Sequence, residues 1–158
     1  MTWYEPDGLR FECTLCGACC SGGEGMVLFS PEEGEAIARR LGIPVAEFLA
    51  RYTRMVDVSG SAGGRTVKVR SLNEVPKPEG LDCVFLDRTT MPGKAICSLY
   101  EDRPTQCRTF PFWPEHVDTP KGWKRLSKHC EGIGRGNFVP VEAIRVDRDR
   151  QRAVDLSR

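Results

Sequence analysis

The chain has 158 residues, 40% of them hydrophobic, with 23 basic and 22 acidic side chains and a net charge of +1. That length predicts one domain able to bury a core of its own. Charge so evenly balanced gives no electrostatic reason to expect nucleic acid or an anionic membrane as partner, and no apolar run approaches the ~18 residues of a bilayer span.

The N-terminus, MTWYEPDGLRFEC, is polar and acidic. It lacks the basic start and apolar run of a signal peptide, which predicts a cytoplasmic location. Residues 1–29 then carry FECTLCGACC and a Gly-rich exit, SGGEGMVLF. A helix start follows. Ser30 suits an N-cap, Pro31 the first helical position, and Glu32 and Glu33 the positive end of the dipole, with Glu33 completing a capping box. Ile37 and Leu41 share one face, and Gly42 offers a stop. IPVAEFLARYTRMV repeats the pattern after Pro44, so helices are expected across residues 31–55, with Phe48, Leu49 and Tyr52 as a second buried face.

SGSAGGRTVKVRSL reads as a flexible Gly/Ser loop running into an exposed strand, Thr66 to Leu72, and EVPKPEG as a Pro-rich connection. CVFL and KAICSLY look like two short strands joined by a turn around Pro92 and Gly93. The tail after Gly136 predicts a C-terminal helical segment, 137–158, whose mixed charge reads as a solvated face. The expected fold class is α+β: a small single domain, 1–158, with short strands, irregular loops and a few helices around one or two cysteine-ligated metal sites. The cysteine domain's core spans about residues 10–136, and the helices of residues 31–55 with the C-terminal segment are expected to provide the hydrophobic cover.

Eight cysteines are the compositional outlier. Without a signal peptide, that count points to metal ligation rather than disulfides. Isolated cysteines are often small buried hydrophobes, but that account fits poorly to Cys13, Cys16, Cys19 and Cys20, four in eight residues. Three thiolates in C-x2-C-x2-C can wrap one face of a metal site. Gly17 lets the chain turn sharply, and backbone N–H groups in such a loop can point at sulfur. The spacing matches the first three ligands of ferredoxin-type loops, but no fourth cysteine follows after three residues and none immediately precedes a proline. Structural zinc usually pairs two C-x2-C knuckles, whereas Cys83, Cys97, Cys107 and Cys130 are widely separated. The spacing favours an iron–sulfur cluster over zinc and leaves both open. Adjacent side chains diverge, so Cys19 and Cys20 are not expected to face one ion.

Four thiolates on a divalent ion carry about two negative charges, which Arg10, Arg103 and Arg108 are placed in sequence to offset. The same arginines also read as ordinary surface or capping residues. Phe110, Phe112 and Trp113 beside Cys107 read equally as a shield against water or as core. His116 and His129 read as surface or hydrogen-bonded residues, though His129 abuts Cys130. No catalytic residue is assigned.

FECTLCGACC, LDCVFLD, AICSLYEDRPTQCRTFPF and HCEGIGRG, in that order, resemble the cysteine-cluster family named for its C-x2-C-x2-C-C motif, also called YkgJ-like. The resemblance spans residues 10–136 and implies chelation of zinc or iron. It assigns the opening motif to Cys13, Cys16, Cys19 and Cys20, the D-C-x-F-L block to Cys83, the flanks of Y-x-x-R-P to Cys97 and Cys107, and the closing position, before Gly132 and Gly134, to Cys130. A related cysteine domain in flagellin lysine N-methylases implies a link to methyl transfer or iron–sulfur chemistry, but this chain has no G-x-G-x-x-G loop. The function expected is metal binding through all eight cysteines, as an iron–sulfur cluster or zinc. The rivals are an iron–sulfur-dependent enzyme or accessory domain and a thiol redox protein using the C-x2-C pair.

Overall fold

The computed structural model describes residues 1–23, 25–59 and 64–157. Strand β1 (Leu9–Phe11) leads into the cysteine loop and a 3₁₀ turn, Ala18–Cys20, followed by the two-residue strand β2 (Ser21–Gly22). Helix α1 (Pro31–Leu41) starts as its sequence dictates. The Ser30 Oγ accepts from the Glu33 N–H, the Glu33 carboxylate accepts from the Ser30 N–H, and Gly42 closes the helix in the left-handed region at φ 69°. Helix α2 (Val45–Tyr52) buries Phe48 on α1.

Helix α2 ends three residues earlier than expected. Thr53 opens strand β3 (Thr53–Ser59), which pairs antiparallel with β4 (Thr66–Leu72), Val56 opposite Val69 and Val58 opposite Val67. Alternating β-branched residues favour the pleat over another helical turn. The Thr53 hydroxyl spends itself on the Leu49 carbonyl at 2.6 Å. Most of the loop expected between these strands, residues 60–63, lies outside the described residues.

The Pro-rich connection is a strand, β5 (Glu74–Lys77), paired with β6 (Gly80–Cys83). Sheet order is β2-β6-β5, so Pro76 sits on an edge strand, where a missing N–H costs nothing. CVFL is split: Cys83 ends β6, and after two turn residues β7 (Leu86–Asp87) pairs with β8 (Ile96–Cys97) around the turn containing Pro92 and Gly93. A 3₁₀ turn, Tyr100–Asp102, then precedes three short helices, α3 (Thr105–Thr109), α4 (Pro114–Val117) and α5 (Pro120–Leu126). Strand β9 (Ile133–Val139) returns to pair with β1, and α6 (Val141–Leu156) follows. The expected solvated face of α6 is only one side of it. Val141, Ile144 and Gln151 are buried, and the Gln151 Oε1 accepts from the Thr109 hydroxyl on α3.

The architecture is thus α+β, with two apolar clusters. The first gathers Ile37, Ala38, Phe48, Leu72, Cys83, Phe85 and Leu99, with Cys20 and Cys97 packed against it. The second gathers Tyr4, Leu9, Phe112, Val117, Val141 and Ile144. Phe48, Ile37 and Ile144 are wholly buried, each contributing about 2–3 kcal/mol of transfer free energy. Among the described residues no helix is long and apolar enough to cross a membrane.

Candidate metal centre

Residues 13–17 are pinned from two sides. The Glu12 N–H donates to the Gly132 carbonyl at 3.1 Å, and the Thr14 hydroxyl donates to the Glu131 carboxylate at 2.5 Å. From the other side the Ala95 N–H reaches the Leu15 carbonyl at 2.8 Å and the Lys94 ammonium the Thr14 carbonyl at 3.1 Å. Leu15 pays for this path with φ 56°, a conformation few side chains adopt. Gly17, at φ 77°, passes so close to Ala95 that a Cβ there would lie 2.7 Å from the Ala95 Cβ. Its carbonyl then accepts from the Cys20 N–H at 2.9 Å, closing the 3₁₀ turn.

That turn overturns one expectation. Cys19 and Cys20 do not diverge; their sulfurs are 3.7 Å apart. Two thiolates on one tetrahedral ion at about 2.3 Å from the metal stand about 3.8 Å apart, so this pair already has the edge length of a thiolate metal site.

Two adjoining cavities bring the other cysteines in. The inner one, about 280 Å³, is lined by Cys19, Cys20, Cys83 and Cys107, with Met26, Val27, Phe110 and Trp113 as apolar wall. The outer one, about 300 Å³, is lined by Cys13, Cys16 and Cys130, and Cys19, Cys107 and Phe110 form the wall it shares with the first. Strand β6 delivers Cys83, α3 delivers Cys107, and the turn after α5 delivers Cys130. Cys97, on β8, lines neither cavity but packs on the same apolar cluster as Cys20 and Cys83. All eight are free thiols. Among the described residues no three Cys, His, Asp or Glu side chains are already drawn together to the spacing of a metal site.

The electrostatics differ from thiol to thiol. The contact between the two sulfurs holds the Cys19 thiol down at about 7 and, with burial, pushes that of Cys20 well up. Burial pushes Cys83 up to about 11 and raises Cys97, Cys107 and Cys130 as well. At three of them backbone N–H groups pull the other way: Phe85 at Cys83, Leu99 at Cys97, and Gly132 at Cys130. In each case the donor lies two residues on, an arrangement that stabilises a sulfur carrying negative charge.

The charged neighbours sort themselves. Arg103 and Arg108 line the outer cavity, and Arg103 stacks over Tyr100 at 4.1 Å with its Nε buried and without a partner. Arg10 lies elsewhere, 5.1 Å over the Phe138 ring. Asp82, beside Cys83, is occupied by a two-pronged bond from Arg88 at 2.7 and 2.9 Å. His116 stacks on Trp113, with Nδ1 3.1 Å from the Pro111 carbonyl, and burial lowers its pKa; His129 is exposed. Phe110 and Trp113 wall the inner cavity, and Phe110 and Phe112 the outer. Sequence reasoning missed Thr14, Tyr100 and Asp147, which also line the outer cavity. Asp147 hides in the mixed-charge run of α6, and only the side of the helix that faces inwards distinguishes it.

The donor set, seven free sulfurs around two cavities with Cys97 packed beside them and N–H groups turned to three of the eight, fits a thiophilic ion such as zinc or iron. A family model matches residues 12–131, a span that contains every one of those cysteines. The chain belongs to the CxxCxxCC family. The CxxCxxCC family is described as a "putative zinc- or iron-chelating domain", and no solved structure matches the chain. The family match agrees with the resemblance read from the sequence and supports a metal ion as the ligand.

Proposed function

We propose that this CxxCxxCC domain holds a zinc or iron ion in the inner cavity through Cys19, Cys20, Cys83 and Cys107. The observation that carries the reading is the 3.7 Å separation of the Cys19 and Cys20 sulfurs in the wall of a cavity lined by two further thiols. Cys97 stands close behind as a fifth sulfur. Four thiolates make a closed site, suited to structural support, storage or electron transfer rather than to binding substrate at the metal. Met26, Val27, Phe110 and Trp113 give the cavity an apolar side, with Ser21, Glu74 and Gln106 completing its lining.

A second reading is an iron–sulfur cluster, favoured by the C-x2-C-x2-C spacing of Cys13, Cys16 and Cys19. A four-iron cluster takes one cysteine on each iron, which the close Cys19–Cys20 pair does not suit; a two-iron cluster takes two on each and does.

Metal analysis and absorbance of protein purified without oxygen or affinity-column metal test both. Stoichiometric zinc without colour, or iron without acid-labile sulfide, supports the single-ion reading. Iron with equimolar sulfide and a broad band near ~400 nm supports the cluster. Eight titratable thiols, with no metal taken up on reconstitution, overturn both.

A further inference from the structure

The outer cavity has thiols of its own. Cys13, Cys16 and Cys130 line it and have no place in the inner one. They are tied to one another. The loop bearing Cys13 and Cys16 is clamped to the segment bearing Cys130 through the Glu12–Gly132 and Thr14–Glu131 bonds, and a Cβ on Gly132 would fall 2.2 Å from the Glu12 carbonyl. So tight an approach fixes the two segments against each other. Resting on the inner-site reading, we propose that the outer cavity is a second metal site of three thiolates, Cys13, Cys16 and Cys130, whose fourth position is open to a small anion.

Three observations describe its chemistry. With Cys19 and Cys107, which also line this cavity, committed to the inner ion, three thiols remain, the number that leaves a coordination position free on a tetrahedral ion. Cys13 and Cys16 are exposed, so ligands can reach them, while Cys130 is buried behind them. Beside an apolar wall of Phe11, Phe110 and Phe112 the cavity carries a cationic group and hydroxyls. Arg103 brings a guanidinium with an unpartnered Nε, and Thr14 and Tyr100 add hydroxyls.

The charges decide what kind of ligand fits. Three thiolates on a divalent ion leave roughly one net negative charge, which the Arg103 guanidinium offsets. Arg108 is engaged with Glu33, 3.6 Å away, and Asp147 sits 3.8 Å from Arg150. Arg103 is therefore the group available to hold an anion against the metal. A closed site and an open one within one small domain give it a stable centre beside an exchangeable one.

Cobalt(II) reports coordination by colour and tests this directly. Titration of the metal-free protein with Co²⁺ alone is expected to reach two equivalents. The double variant C13S/C16S, altered only at exposed residues, is expected to reach one while keeping its circular dichroism. Thiocyanate added to the two-cobalt protein is expected to shift the bands of the second equivalent, and Arg103→Met to weaken that shift about tenfold. One equivalent in both proteins overturns the outer site and leaves the inner one standing. Two equivalents unaffected by C13S/C16S overturn the assignment of residues. Two equivalents indifferent to thiocyanate overturn the open position. No cobalt at all overturns the inner-site reading too. If C13S/C16S fails to fold, the thiocyanate response of the unmodified protein decides alone.

Discussion

The Cys83 thiol shows what burial does to a would-be ligand. Desolvation favours its neutral form and moves its pKa from the ordinary 9.0 to about 11, while the Phe85 N–H works in the opposite sense. A metal resolves the conflict: it replaces the proton, and the N–H then stabilises the thiolate. The sign for the metal-free protein follows. With the folded pKa above the unfolded one, the stability linked to Cys83 is fully present below about pH 9 and is lost as pH rises towards 11, by up to about 3 kcal/mol. Thermal melts of metal-free protein are expected to fall across that window, and Cys83→Ala to flatten the decline. An equally steep decline in Cys83→Ala would place its origin elsewhere. Cys19 behaves oppositely, since its S–H···S contact lowers its pKa to about 7.

Helix α1 and helix α3 are joined by one carboxylate. Glu33 caps the Ser30 N–H through one oxygen at 2.9 Å, and through the other accepts from the Thr105 N–H at 2.7 Å and the Thr105 hydroxyl at 2.6 Å. The capping box thereby sets where α3, and with it Cys107, begins. Ser30→Ala is expected to cost about 1 kcal/mol in urea denaturation, the ordinary worth of a cap. Glu33→Ala is expected to cost about 2–3 kcal/mol, because it also strands two donors at the start of α3. Equal costs would show that the bridge to α3 adds nothing. The first half of Glu33's role was legible in the sequence, because Ser30 and Glu33 are three residues apart. The second was not, because Thr105 lies 72 positions away. The same divide runs through the fold. The caps of α1 and the turn at Pro92 and Gly93 are local and could be read. The pairing of β1 with β9 is not, and β5 was concealed by a proline that only an edge position tolerates. At the candidate site, the cysteines announced themselves, but the closeness of Cys19 and Cys20 depends on a 3₁₀ turn that residue types alone do not specify.

Across the whole molecule, the thiols lie between the two apolar clusters. Cys20, Cys83 and Cys97 border the first, while Phe11 and Phe112, from the second cluster and its rim, wall the outer cavity. Metal bound there belongs to both halves, so its removal should be felt globally rather than at one loop. At metal a thousandfold above its dissociation constant, binding adds about 4 kcal/mol to stability, which for a chain of this length is about 8–16 °C in Tm. Differential scanning fluorimetry before and after a strong chelator should show a drop of that order, reversed by adding zinc. A melt indifferent to the chelator would argue against a metal shared by the two halves.

The clamp between residues 12–14 and 131–132 also has a consequence in time. During synthesis the chain leaves the ribosome from its N-terminus, so Cys19, Cys20, Cys83 and Cys107 all emerge before Cys130 and β9. An ion can therefore settle in the inner cavity on a nascent chain. On the two-site proposal, the outer thiols gain their third member only when Cys130 follows, which gives maturation a built-in order.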